Sequence, residues 1–208
     1  MKSSNYFQVN RHAGLFYFDA SFRPVPLEQH FIGVKGKPNT KTSRDNIDTT
    51  AFEKVQEMLE LGHQSMVFVH SRKDTFNTAK MLYEKATDQN CTDLFDPTGQ
   101  PKYEQAMKDM RSSRGRELRE LVPKGIGIHH AGMARSDRNL MERLFKDGIL
   151  KVLCCTATLA WGVNLPAAAV IIKGTQVYSA QEGKFIDLGI LDVVSSFLFC
   201  CFHRLRTY

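Results

Sequence analysis

Three stretches of this sequence set chemically able side chains directly after short apolar runs. The first, His70-Ser71-Arg72-Lys73-Asp74-Thr75, combines a hydroxyl with two cations at what reads as a helix start, a set suited to gripping a phosphate. The same residues would serve equally as a solvated helix N-terminus. The second, His129-His130-Ala131-Gly132-Met133, places two imidazoles before a tight turn. Neighbouring side chains on a strand point to opposite faces, so the pair is poorly placed to share one metal ion; packing plus one backbone or phosphate contact fits better. The third runs Cys154-Cys155-Thr156-Ala157-Thr158-Leu159-Ala160-Trp161-Gly162-Val163-Asn164-Leu165-Pro166. Its threonine hydroxyls follow a buried run, Gly162 permits close backbone approach, and Asn164 and Pro166 shape the exit. Such a loop can touch a ligand on either side, or it can be a plain connection with Trp161 as a core aromatic and the cysteines as small buried hydrophobes.

The elements that must position these residues follow from hydrophobic periodicity. Phe52, Val55 and Leu59 recur at helical spacing with Gly62 as the stop, and residues 65–70 form an unbroken apolar strand. Phe76, Ala79, Leu82 and Ala86 mark a second helix, and residues 127–129 a second strand. A helix then follows with Ser136 as N-cap and Leu140, Leu144 and Phe145 turned inward. Residues 150–155 and 169–172 supply two further strands. Short apolar strands alternating with amphipathic helices predict an α/β fold, a parallel sheet covered by helices on both faces. In such a sheet, ligands gather at the carboxyl ends of the strands, where all the stretches above begin.

Residues 1–48 read as an extended lead-in punctuated by prolines, residues 49–193 as the α/β domain, and residues 88–116 as a surface insertion around a polar helix at 103–110. The net charge of +6 over 208 residues favours a polyanionic partner. The five cysteines fall as Cys91, Cys154-Cys155 and Cys200-Cys201, unlike a secreted disulfide framework, so a reducing compartment is expected. The longest apolar stretch, at 193–202, is about half of a membrane span. A cytoplasmic or nuclear protein without membrane contact is expected.

The Thr-Ala-Thr-Leu-Ala-Trp-Gly-Val-Asn-Leu-Pro segment at 156–166 resembles motif V of superfamily-two helicases, in the form carried by the large Sec63-domain DExH helicases of the Ski and Brr type. The likeness extends to Val67-Phe68-Val69-His70-Ser71-Arg72-Lys73 as the motif IV region and to His129-His130-Ala131-Gly132-Met133 as motif IVa. Ile171-Ile172-Lys173-Gly174-Thr175-Gln176-Val177-Tyr178 matches the stretch after motif V, and residues 14–34 resemble the lead-in between the two RecA-like domains. Within the group, Asp187-Leu188-Gly189-Ile190-Leu191-Asp192-Val193 is more similar to the amino-terminal cassettes of the activating signal cointegrator complex helicases than to the spliceosomal relatives. The resemblance implies a second RecA-like domain. It implies that Ser71, Arg72, His130, Gly132, Thr156 and Thr158 meet the backbone of single-stranded RNA or DNA, and that Gly162 and Asn164 face ATP across the cleft. The first RecA-like domain would be the partner jaw, ATP and Mg2+ the cofactors, and a ribosome-associated or cointegrator-type complex the setting.

The sequence lacks other parts of that machinery. Gly33-Val34-Lys35-Gly36-Lys37-Pro38 has neither the spacing nor the hydroxyl of a phosphate-cradling loop, and no Asp-Glu pair occurs to hold a magnesium ion. After Val193 the family would continue into an arginine-bearing motif VI, but residues 194–208 are aromatic, cysteine-rich and unlike it; a truncated product with an aberrant tail is expected. Two other classes fit in part: a catalytically inactive RecA-like module that holds nucleic acid or protein, and a dinucleotide-binding enzyme. No Gly-x-Gly-x-x-Gly follows any strand, which weighs against the latter.

Overall fold

The computed structural model describes Phe22 and residues 28–38, 40–113, 115–156, 165–179 and 182–187. Helix α1 (Lys41–Glu60) begins where the Thr40 hydroxyl accepts the Ser43 amide at 3.3 Å. It ends at Gly62, whose φ of +76° only glycine adopts freely, with the His63 amide donating back to Met58 O at 2.9 Å. Phe52, Val55 and Leu59 are its buried stripe, as their spacing predicts. Strand β1 (Ser65–Val69) is buried along its whole length. Helix α2 (Arg72–Asp88) follows, then a 3₁₀ turn (Thr92–Phe95), α3 (Tyr103–Arg111), α4 (Arg116–Leu121) and a second 3₁₀ turn (Val122–Lys124). The chain returns as β2 (Ile126–His129), α5 (Arg135–Lys146), β3 (Val152–Thr156) and β4 (Ala169–Ile172). A hairpin, β5 (Gln176–Ser179) and β6 (Lys184–Asp187), comes last.

The main sheet is parallel throughout, in the order β2-β3-β1-β4. Right-handed crossovers put α2 and α5 on opposite faces, because β1 to β2 and β2 to β3 run in opposite lateral directions. Helix α1 packs on α2, β1 and β4. Both faces are therefore covered, which is why Met66, Val67, Cys154 and Cys155 are buried without polar alternation. This is the expected α/β architecture, a RecA-like parallel sheet between helices.

Several details depart from the sequence reading. The N-cap of α5 is Ala134, not Ser136: the Met133 amide closes a turn onto His130 O at 3.1 Å and brings the chain into helical register earlier, leaving Ser136 exposed inside the first turn. Residues 88–116, expected as a surface insertion, contribute Phe95, Ala106 and Met110 to the core. Their apolar side chains are scattered among charges, so the segment reads as polar although it packs on the sheet's helices. Helix α4 and the β5–β6 hairpin carry too little periodicity to have been expected.

Candidate nucleic-acid interface

The parallel register sets the strand ends side by side. Val69 pairs with Thr156, and His129 with Cys155, so the chain leaves β1, β2 and β3 along one edge. Strands β1 and β3 are neighbours, yet β1 continues toward the β2 edge and β3 toward the β4 edge. A divergence of this kind, at the carboxyl ends of neighbouring strands, is the place where open α/β sheets take ligands.

Ser71, Arg72, His130, Gly132 and Thr156 all lie along this rim. Ser71 caps α2: its hydroxyl accepts the Asp74 amide at 3.1 Å and donates to the Asp74 carboxylate at 2.6 Å. The proton of that hydroxyl is committed to Asp74, so Ser71 has no donor left for an approaching anion, which would meet the first-turn amides of α2 instead. Arg72 reaches across to the β2 turn. A Cβ on Gly132 would sit 3.0 Å from Arg72 Nη1 and 3.2 Å from His130 Nδ1, so the missing side chain is what lets the guanidinium lie there. The Gly132 amide donates to His130 Nδ1 at 3.1 Å. That bond places the proton of the neutral ring on Nε2, a donor for a phosphate or ribose oxygen. Thr156 is half-buried at the end of β3, and Leu165 and Ala167, ahead of β4, are buried. Thr158, Gly162 and Asn164 lie outside the described residues.

The paired histidines turn apart. His129 is buried and donates from Nε2 to Glu142 Oε1 at 2.9 Å, while its Nδ1 has no protein partner. Burial lowers its pKa from the ordinary 6.5 against the opposing pull of Glu142. Burial likewise lowers that of His130; Glu117 opposes the shift and the Arg72 guanidinium adds to it. Both rings therefore take up a proton less readily in the folded chain than in the unfolded one. Stability from these rings is whole above pH 6.5 and drains as the pH falls below it. We expect the urea midpoint to drop between pH 7.5 and 5, and His129→Gln, which keeps a donor for Glu142, to flatten that drop. An equal slope in both proteins would contradict this account.

Sequence reasoning missed the residues behind the rim. His70 donates from Nε2 to Gly174 O at 2.9 Å, and Lys173 binds Asp48 and Thr78. No local signal announces such pairs, which are separated by about 100 residues in the chain. A cavity of about 440 Å³ lies elsewhere, between α3 and α5, lined by Asp109, Asp137, Asn139 and Arg143. Its carboxylates, with Asp109 already paired to Arg143, make it a poor seat for a polyanion.

No protein-family profile matches the chain. It is 53% identical over 199 residues to the RQC trigger complex helicase SLH1 of Saccharomyces cerevisiae, covering 95% of this chain and 10% of that protein. It is 52% identical over 194 residues to human activating signal cointegrator 1 complex subunit 3, covering 93% of this chain and 9% of the relative. With the DExH-box ATP-dependent RNA helicase DExH14 of Arabidopsis thaliana it shares 49% identity over 197 residues, 95% of this chain and 9% of that one. The chain thus spans about a tenth of the length of the curated relatives it matches. Identity of this order across nearly the whole chain, on a RecA-like sheet, makes the chain a homologue of one segment of the helicase SLH1, of activating signal cointegrator 1 complex subunit 3 and of the DExH-box RNA helicase DExH14.

Proposed function

We propose that this chain acts as the second RecA-like domain of an ATP-dependent RNA helicase, gripping the backbone of a single strand at the carboxyl rim of its sheet. The observation that carries the reading is the convergence of Arg72, the His130 Nε2 donor, the α2 amides and Thr156 on one edge. Cations, helix amides and a neutral donor read phosphate and sugar rather than bases, which suits an enzyme that moves along any sequence. Thr156 and Thr158 are assigned to the strand side, and Gly162 and Asn164 to the ATP side of the same loop.

The sequence supplies neither a phosphate-cradling loop nor an acidic pair for Mg2+, so these residues would form only one side of an ATP site. Those parts belong to a first RecA-like domain, the proposed partner jaw. SLH1 is named for the RQC trigger complex and the human relative for the activating signal cointegrator 1 complex; work within an assembly of that kind, in cytoplasm or nucleus, is proposed for the whole protein. By itself the 208-residue chain is expected to show no magnesium-dependent ATP turnover above background. Fused to a first RecA-like domain and to an arginine-bearing motif VI, it should gain RNA-stimulated turnover. A fusion that binds RNA yet never hydrolyses ATP would favour an inactive binding module instead.

A further inference from the structure

The corner that follows β4 is held from three elements at once. The Lys173 amide donates to Phe68 O of β1 at 3.0 Å. The Lys173 ammonium bonds Asp48 Oδ1 of α1 at 2.6 Å and Thr78 Oγ1 of α2 at 2.9 Å. Its side chain is only 18% exposed and that of Asp48 28%, so the pair is mostly removed from water. Gly174 then turns with φ of +82°, and its carbonyl accepts His70 Nε2 at 2.9 Å. His70 directly precedes Ser71 and Arg72.

A mostly buried ion pair contributes little net stability, because desolvation offsets the attraction. An apolar side chain would fill the same space. What the pair supplies instead is a fixed geometry: an ammonium with two acceptors on two helices sets where residues 173–175 lie, and the Gly174 carbonyl then sets where the His70 ring lies. We propose that Lys173 is a positioning residue for the strand-binding rim, acting through Asp48, Thr78 and the Gly174–His70 bond to hold the junction that presents Arg72. Two residues before Asp48 in α1, Asn46 donates to Lys35 O at 2.8 Å, which ties the same helix to the lead-in. The inference rests on the rim being the strand site.

The test compares binding of fluorescein-labelled oligouridine by the 208-residue chain and its variants. Lys173→Met should raise Kd about five-fold, the equivalent of about 1 kcal/mol. Its melting temperature should stay within about 3 °C of the parent, and amide exchange at residues 70–72 should accelerate. The charge-exchanged pair Asp48→Lys with Lys173→Asp should bring Kd back to within about two-fold of the parent, a recovery that simple loss of packing would not permit. An unchanged Kd in Lys173→Met, with Arg72→Ala clearly weakened, overturns the inference and leaves the rim in place. If Arg72→Ala binds as the parent does, the rim reading itself fails. Should Lys173→Met not fold, Thr78→Val removes one acceptor at similar volume, and a folded Thr78→Val with unaltered Kd and exchange would equally overturn the proposal.

Discussion

Gly125→Ala should cost more than about 3 kcal/mol of folding free energy, a large share of a whole margin of the order of 5–15 kcal/mol. Gly125 joins the second 3₁₀ turn to β2 with φ of +70°, and a Cβ there would lie 1.8 Å from the carbonyl oxygen of Phe95. That atom is backbone and cannot rotate away. Gly125 cannot move either, since its carbonyl accepts the Lys151 amide at 2.7 Å and its own amide donates to Val122 O at 3.0 Å. Gly62 is the internal control: φ is +76° but nothing lies within 4 Å of its added Cβ. Gly62→Ala should therefore cost only the left-handed strain, about 1 kcal/mol. Denaturant titrations followed by circular dichroism give both numbers. Equal costs would mean that the Phe95 carbonyl does not lie against Gly125.

Arg72→Ala should weaken binding of single-stranded RNA about ten-fold at low salt, the loss of one charge-assisted contact worth about 1.4 kcal/mol. The salt dependence is the sharper signature: removing one phosphate contact should flatten the slope of log K against log salt by about 0.7. Arg72→Lys should recover the slope but only part of the affinity, since the ammonium keeps the charge and loses the planar fork. Gly132→Val should act in the same direction, because its side chain would occupy the space in which Arg72 Nη1 and Cδ now lie. An unaltered salt slope in Arg72→Ala would place that guanidinium away from the strand.

The sheet was legible because its strands are short apolar runs bounded by turn residues, and the helices because Phe52-Val55-Leu59 and Phe76-Ala79-Leu82-Ala86 repeat at helical spacing. The rim residues were legible for a related reason: in a parallel sheet the residues after each strand must gather at one edge. Strand order was not, since nothing in β3 says that it lies between β2 and β1. Ser71 shows the limit of reading residue types. Its hydroxyl suits a phosphate, but Asp74 three residues on turns it into a helix cap. Phe95, Asp48 and Lys173 were invisible for a different reason, as each acquires its role only from a partner far along the chain.

Cross-linking locates the bound strand without any substitution. With 4-thiouridine RNA irradiated on the chain and the adducts mapped by mass spectrometry, cross-links are expected in peptides covering residues 70–76 and 129–135, at the carboxyl ends of β1 and β2. Cross-links confined to residues 122–125 and 147–151, at the opposite edge of the sheet, would contradict the assignment of the rim as the strand-binding surface.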